Sequence, residues 1–185
     1  MNLKLITMAI SMALLSGIAA SEVPQWVQPG VSATYHFISG GWANGAPVPN
    51  NAAEIYLTHQ VNQVTREETT GTVSLYNPLT GQTQTQEVNC QDGAPACLGR
   101  FWLDTNNPTG SFKGDHGETF HLMGQSVYNT AGRNWDATTM VYQNPDSGVT
   151  FSVVYDTKSG MILSYNLDYP NEKIYSTLQQ TNAEV

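Results

Sequence analysis

Apolar and polar residues alternate in several long runs of this chain, many of them separated by short glycine-containing turns. Val149, Phe151, Val153 and Tyr155 share one parity, against Thr150, Ser152, Val154 and Asp156 on the other. Met161, Leu163, Tyr165, Leu167 and Tyr169 oppose Ser164, Asn166 and Asp168. Ala33, Tyr35 and Phe37 oppose Thr34 and His36, and Ile55, Leu57, His59 and Val61 oppose Tyr56, Thr58, Gln60 and Asn62. A period of two places successive side chains on opposite faces of a strand, so each run reads as a half-buried β-strand. Beyond residue 30 there is almost no helical period, and the expectation is an all-β fold.

The turns share one plan. Asn77-Pro78-Leu79-Thr80-Gly81, Asn144-Pro145-Asp146-Ser147-Gly148 and Asp156-Thr157-Lys158-Ser159-Gly160 each begin with Asn or Asp and end with Ser or Thr followed by Gly. The first side chain can bond the turn's own backbone, and the Gly can take positive φ. Tyr169-Pro170-Asn171-Glu172 is a fourth turn. These hairpin tips predict an antiparallel meander with strands near 134–143, 149–156, 161–169 and 172–180, about ten strands in all. The stretches 40–51 and 104–115 are expected to be loops. Gln82 to Gln86 alternates Gln with Thr and has no apolar face, which predicts an edge or outer strand. A half-barrel, barrel or sandwich can each be built from such a meander.

Residues 1–20 carry a secretory signal pattern. Lys4 precedes an apolar and small-residue run, Leu5 to Ala20, that is short for a membrane span of about 20 residues. Small residues at Gly17 and Ala19 favour cleavage after Ala19 or Ala20, leaving one antiparallel β domain over 21–185 that is secreted or periplasmic; an uncleaved anchor is the alternative. The cysteines fit an oxidising compartment. Cys90 and Cys97 enclose a turn-rich hexapeptide and are expected to form a disulfide, which for so short a loop stabilises by roughly 2–3 kcal/mol. Half of a metal site is the rival reading. With charged residues at 12%, seven basic against fifteen acidic residues and a net charge of −8, the chain is a poor partner for nucleic acid or an anionic membrane surface.

Signatures of chemistry are sparse. There is no G-x-S-x-G elbow, no H-E-x-x-H and no phosphate-binding glycine loop. The densest polar group is Gly114-Asp115-His116-Gly117-Glu118-Thr119-Phe120-His121. His116, Glu118 and His121 are the alternative metal ligands, but a strand sends Glu118 and His121 to opposite faces and a helix leaves His116 off their stripe. His59 has the parity of Ile55, Leu57 and Val61, which makes it a partnered core histidine before a cavity ligand. Trp42 stands apart from the other aromatics, in the glycine-rich stretch Gly40-Gly41-Trp42-Ala43-Asn44-Gly45. An aromatic side chain there can close an apolar cavity or plug the end of the core.

Three segments taken in order carry a resemblance. They are Trp26-Val27-Gln28-Pro29-Gly30 with Tyr35, then Leu98-Gly99-Arg100-Phe101-Trp102, then Tyr155-Asp156-Thr157-Lys158-Ser159-Gly160-Met161-Ile162-Leu163-Ser164-Tyr165. The arrangement resembles a group of secreted prokaryotic β-proteins with a W-V-x-P-G opening, a mid-chain L-G-x-F/Y-W and a late Y-D-x-x-T/S-G-x-L-L-S. Ile162 stands where that pattern has Leu. No activity is assigned to the group, so the resemblance implies a fold and no catalytic role. It is also compatible with the open half-barrels of periplasmic lipid and lipoprotein carriers, at the level of fold. The expected function is an exported, non-catalytic binding protein, with an apolar small molecule or lipid against the concave sheet face, Trp42 as ligand-binding residue and no cofactor. A secreted hydrolase or metal-binding protein using the 115–121 loop, and a structural or adhesive surface domain, are the alternatives.

One outcome follows from the cysteine spacing. The exported protein, denatured without reductant, is expected to show no titratable thiol and to gain two on reduction; two free thiols before reduction would exclude the Cys90–Cys97 bridge.

Overall fold

A computed structural model of the chain describes residues 23–43, 46–65, 68–91, 101–103, 111–113 and 119–185. Ten strands lie among them: β1 (Ser32–Ala43), β2 (Ala46–Val64), β3 (Glu68–Asn77), β4 (Gln82–Gln91), β5 (Ser111–Lys113), β6 (Thr119–Thr130), β7 (Arg133–Asn144), β8 (Val149–Asp156), β9 (Ile162–Asp168) and β10 (Glu172–Thr181). They form one sheet in the order β4-β3-β2-β1-β10-β9-β8-β7-β6-β5, with every neighbouring pair antiparallel. Two meanders, β1–β4 and β5–β10, are joined where β1 lies against β10, in the register Phe37↔Ser176 and Ser39↔Ile174. No ladder joins β4 to β5 among the described residues, so the sheet is open. Of the half-barrel, barrel and sandwich compatible with the meander, the single sheet, not closed into a barrel, corresponds to the half-barrel.

The common turn plan has a common geometry. Gly81, Gly148 and Gly160 each donate their N–H to the carbonyl of the Asn or Asp that opens the turn, at 2.9 Å in every case. Their φ values are +67°, +68° and +73°, the left-handed region open to Gly. The opening side chain accepts from the turn backbone: Asn77 Oδ1 from Leu79 N–H at 2.9 Å, Asn144 Oδ1 from Asp146 N–H at 3.0 Å, Asp156 Oδ2 from Ser159 N–H at 2.8 Å. A further tight turn, Ala131-Gly132 between β6 and β7, has positive φ at both residues (51° and 76°), the pattern of a two-residue hairpin. Ala in place of the usual Asn or Asp hides it from a sequence reading.

The stretch 40–51 corrects an expectation. It is not a loop: β1 runs to Ala43 and β2 starts at Ala46, with Trp42↔Pro47 and Ala43↔Ala46 in register after an irregularity beyond Gly40. Pro47 and Pro49 suggested a break. β3 pairs with β2 only from Tyr56 onward, so among the described residues this part of β2 has no ladder on its far side that needs their missing N–H. Gln82–Gln86 does lie in an edge strand, β4, and Gln82 through Glu87 are all exposed.

The inner face of the sheet is the core. Tyr35, Phe37, Leu57, Leu178, Leu163, Val153, Met140 and Phe120 are all buried on their respective strands. The sheet curls around this face. Tyr35 on β1 donates its hydroxyl to the Ile162 carbonyl on β9 at 2.8 Å, although β10 lies between those strands. At the same end Thr130, at the β6–β7 tip, donates its hydroxyl to the Leu178 carbonyl on β10. A flat sheet with strands about 4.8 Å apart would hold these groups out of reach. The long connection from β4 to β5 joins opposite edges, and its described portion, Phe101 to Leu103, lies fully buried against this inner face.

Burial separates two leucines that look alike in sequence. Leu178 has no exposed surface and Leu79 is 80% exposed at a hairpin tip. Leu178→Ala is expected to destabilise by about 2–5 kcal/mol and Leu79→Ala by under about 0.5 kcal/mol. Urea unfolding of the two variants checks the contrast, and equal costs would contradict the assigned core.

Candidate functional site

Trp26, the Phe101–Leu103 segment and the turn Asp156–Gly160 converge at one end of the inner face. The turn Asp156–Gly160 is the anchor. Asp156 is buried, and its Oδ2 accepts from both the Ser159 N–H (2.8 Å) and the Ser159 hydroxyl (2.6 Å). The same hydroxyl accepts from Met161 N–H at 3.2 Å. With its side chains thus engaged, the turn presents backbone carbonyls to the incoming segments. Trp26 Nε1–H donates to the Ser159 carbonyl at 2.8 Å, and Leu103 N–H to the Gly160 carbonyl at 2.8 Å. Ile162 N–H returns a bond to the Phe101 carbonyl at 3.0 Å, and Trp102 forms an isolated antiparallel bridge with Met161. The rings of Trp26, Phe101 and Trp102 meet edge-on or tilted at 5.3–6.3 Å, the geometry preferred by aromatic quadrupoles. This is a plug of three aromatic side chains over one end of the sheet.

Beyond the plug lies a second group. His59 is buried, edge-on to Tyr35 at 5.7 Å and tilted against Phe101 at 5.6 Å, the core position that its parity implied. Tyr35 also meets Tyr165 at 5.8 Å, and Phe37 stacks on Tyr165 at 6.3 Å. Burial holds both the Tyr35 and Tyr165 phenols above the ordinary value of 10.0, with the neighbouring Tyr165 adding to the effect on Tyr35. Both therefore stay neutral at physiological pH. Between Phe37 and Tyr165 in register is Ser176, which has no exposed surface and whose hydroxyl has no hydrogen-bond partner among the described residues. Leu167, Ile174 and Phe151 continue this apolar floor.

The residues singled out from sequence fall in different places. Trp42 lies in β1 opposite Pro47, at the end of the sheet away from the plug; its side chain is outside the described residues. His116 and Glu118 are outside the described residues altogether. His121 is on β6 beside Phe120, exposed where Phe120 is buried, as strand alternation requires. Among the described residues no group of three His, Cys, Asp or Glu side chains could hold a metal ion. Cys90 occupies a backbone position on β4 opposite Thr69, while its side chain and Cys97 lie outside the described residues, as does the expected disulfide.

A reading of the sequence did not foresee the Tyr35–Tyr165–Ser176 group. Its members have the right parity, but they become neighbours only through the β1–β10 ladder. The outer face holds another unforeseen row, in which Tyr76, Tyr56 and His36 are in register across β3, β2 and β1. His36 stacks on Tyr56 at 4.7 Å and meets Glu54 Oε1 through Nε2 at 2.7 Å.

No family model matches the chain, and no curated protein matches it. Among solved structures it is similar to the protein CT021 from Chlamydia trachomatis, at 9% identity over 88% of this chain and 93% of that one, with a TM-score of 0.46. It is similar to a candidate lipoprotein from Parabacteroides distasonis, at 12% identity over 88% of this chain and 100% of that one, with a TM-score of 0.41. It is also similar to MucB in complex with MucA(peri), at 15% identity over 83% of this chain and 51% of that one, with a TM-score of 0.39. At 9–15% identity these likenesses assign no function.

The plug depends on the Asp156 carboxylate. Asp156→Ala removes both bonds to Ser159 and is expected to cost about 2–3 kcal/mol. Trp26→Phe keeps a ring but loses the bond to the Ser159 carbonyl and is expected to cost about 1 kcal/mol. Chemical unfolding followed by tryptophan fluorescence measures both, and an Asp156→Ala protein as stable as wild type would show that the turn holds without its carboxylate.

Proposed function

We propose that this chain is an exported, non-catalytic binding protein that holds an apolar or amphipathic ligand against the concave face of its sheet. The observation that carries the reading is Ser176. A buried hydroxyl without a partner costs about 1–3 kcal/mol, and such groups are rare in folded proteins. Ser176 is set among Phe37, Tyr165, Ile174 and Leu167, where a ligand with an apolar body and one polar atom would satisfy it. The plug at the Asp156 turn fills one end of the face. At the other end β1 continues past Ser39 to Trp42, which in this reading closes over the ligand.

The buried Asp156 carboxylate and Tyr35 hydroxyl are engaged in structure, which supports binding over hydrolysis. Asp156 accepts two bonds from its own turn, and Tyr35 donates to a β-sheet carbonyl. The extracytoplasmic location rests on the Lys4 and Leu5–Ala20 pattern, and with it goes the Cys90–Cys97 bridge.

A fluorescent fatty acid or hydrophobic dye titrated into wild type, Trp42→Ala and Ser176→Ala tests the proposal, with melting temperatures alongside. Wild type is expected to bind. Trp42→Ala should weaken binding about tenfold or more, since burying an aromatic side chain contributes roughly 1.5–3 kcal/mol, with little change in melting temperature. Ser176→Ala should weaken an amphipathic probe more than a purely apolar one. If wild type binds neither probe but retains stoichiometric zinc that is lost in His116→Ala or His121→Ala, the metal-site reading replaces this one.

A further inference from the structure

The two edges of the sheet are built differently. At one edge β5 is only Ser111–Lys113, and β6 beside it is broken in register between Leu122 and Gly124, where Gly124 has φ +149°. A short edge strand, a lysine and a bulge are the usual means of preventing one sheet from adding to another. The opposite edge has none of these. β4 pairs with β3 through ten consecutive positions, Glu68↔Gln91 to Asn77↔Gln82, without an irregularity. It contains no proline, no lysine and no arginine, and Glu87 is its single charge. Gln82 through Glu87 are exposed. Among the described residues no strand pairs with the outer side of β4, which leaves a row of backbone donors and acceptors for another strand.

The side chains of β4 indicate which strand. Gln82-Thr83-Gln84-Thr85-Gln86 reads the same in both directions. Antiparallel pairing of two copies about Gln84 sets Gln82 opposite Gln86, Thr83 opposite Thr85, and Gln84 opposite itself. Every Gln then meets a Gln and every Thr a Thr, and directly opposite residues share a face. On β3 the partners of Thr83 and Thr85 are Tyr76 and Ser74, and the Ser74 and Thr85 hydroxyls already lie 3.0 Å apart. Thr83 of a second copy extends that hydroxyl row. Gln84 and Gln86 continue the rows of Leu75 and Val73, and their amides can pair as donor and acceptor in the same way. In this register Glu87 falls opposite Gly81, so the two carboxylates do not face each other.

We propose that β4 is a self-association edge, through which two copies of this chain join antiparallel about Gln84 into one continuous sheet. The interface is polar on both faces and rests on main-chain hydrogen bonds, with the Gln and Thr pairs setting the register.

The test uses the full exported protein with Gln84→Lys and Gln84→Glu. Either substitution places two like charges against each other on the two-fold axis, and mixing the two variants places opposite charges there. Sedimentation equilibrium should show a reversible wild-type dimer and at least tenfold weaker association of each variant alone. An equimolar mixture should recover association, and circular dichroism should show the same strand content in all three proteins. Amide exchange in β4 should slow as wild-type concentration rises. A wild type that stays monomeric at millimolar concentration would overturn the proposal, as would a dimer indifferent to both substitutions. Slowed exchange on adding an extended peptide to a monomeric wild type would assign the edge to a foreign strand instead.

Discussion

The ladder between β1 and β10 is the contact on which the rest of the structure depends. It joins the start of the described chain to its end, with Ala33 opposite Thr181 and Gly41 opposite Glu172. Bringing together segments more than a hundred residues apart costs about 4 kcal/mol in loop-closure entropy. Side chains at the chain ends help to offset it. Asn182 accepts from Ser32 N–H at 2.7 Å and donates to the Gly30 carbonyl at 3.0 Å, and Thr181 donates to the Ser32 carbonyl at 2.8 Å. Without this ladder there would be two separate meanders, each with an uncovered apolar face.

Once the ladder forms, the curl of the sheet brings inner-face groups from non-neighbouring strands into contact. The Tyr35 bond to Ile162 spans β10, and Tyr35 and Phe37 reach Tyr165 over Ser176. The Asp156 turn then serves two ends. It reverses the chain between β8 and β9, and its carbonyls receive Trp26 and the Phe101–Leu103 segment. Asp156 is buried in the service of that turn although alternation alone would have sent it outward. Trp26, the Phe101–Trp102 pair and the Asp156–Gly160 turn, far apart in sequence, thus each supply a part of the same plug.

An open sheet raises two questions that a closed barrel does not, what its buried inner face accommodates and what meets the two edges that lack a further strand among the described residues. The proposals above give face and edge each a use. The inner face beyond the plug becomes a ligand floor with Ser176 at its centre. The unbroken edge β4 becomes an assembly surface, while the opposite edge carries a three-residue strand and a bulge. The two uses are physically independent, because the floor lies on strands at the middle of the sheet and β4 lies at its margin.

Much of the fold was legible in the sequence, because strand alternation and turn chemistry are local. The parity of Tyr35, Leu57, His59, Val153 and Leu163 placed each on the inner face, and the Asn or Asp to Gly turns located the β3–β4, β7–β8 and β8–β9 hairpins. The edge position of Gln82–Gln86 followed from the lack of anything to bury. Local rules failed where a position's meaning depended on what lay beside it. Pro47 and Pro49 read as loop because nothing local shows that this part of β2 lacks a second neighbour among the described residues. Ala131-Gly132 escaped notice because a hairpin can impose positive φ on Ala. The candidate site was legible only residue by residue. Alternation says that Phe37, Tyr165 and Ser176 face inward, but their adjacency is a matter of strand order. Strand order is decided by which pairing buries the most apolar surface for the least closure entropy, a global balance that no short stretch of sequence contains.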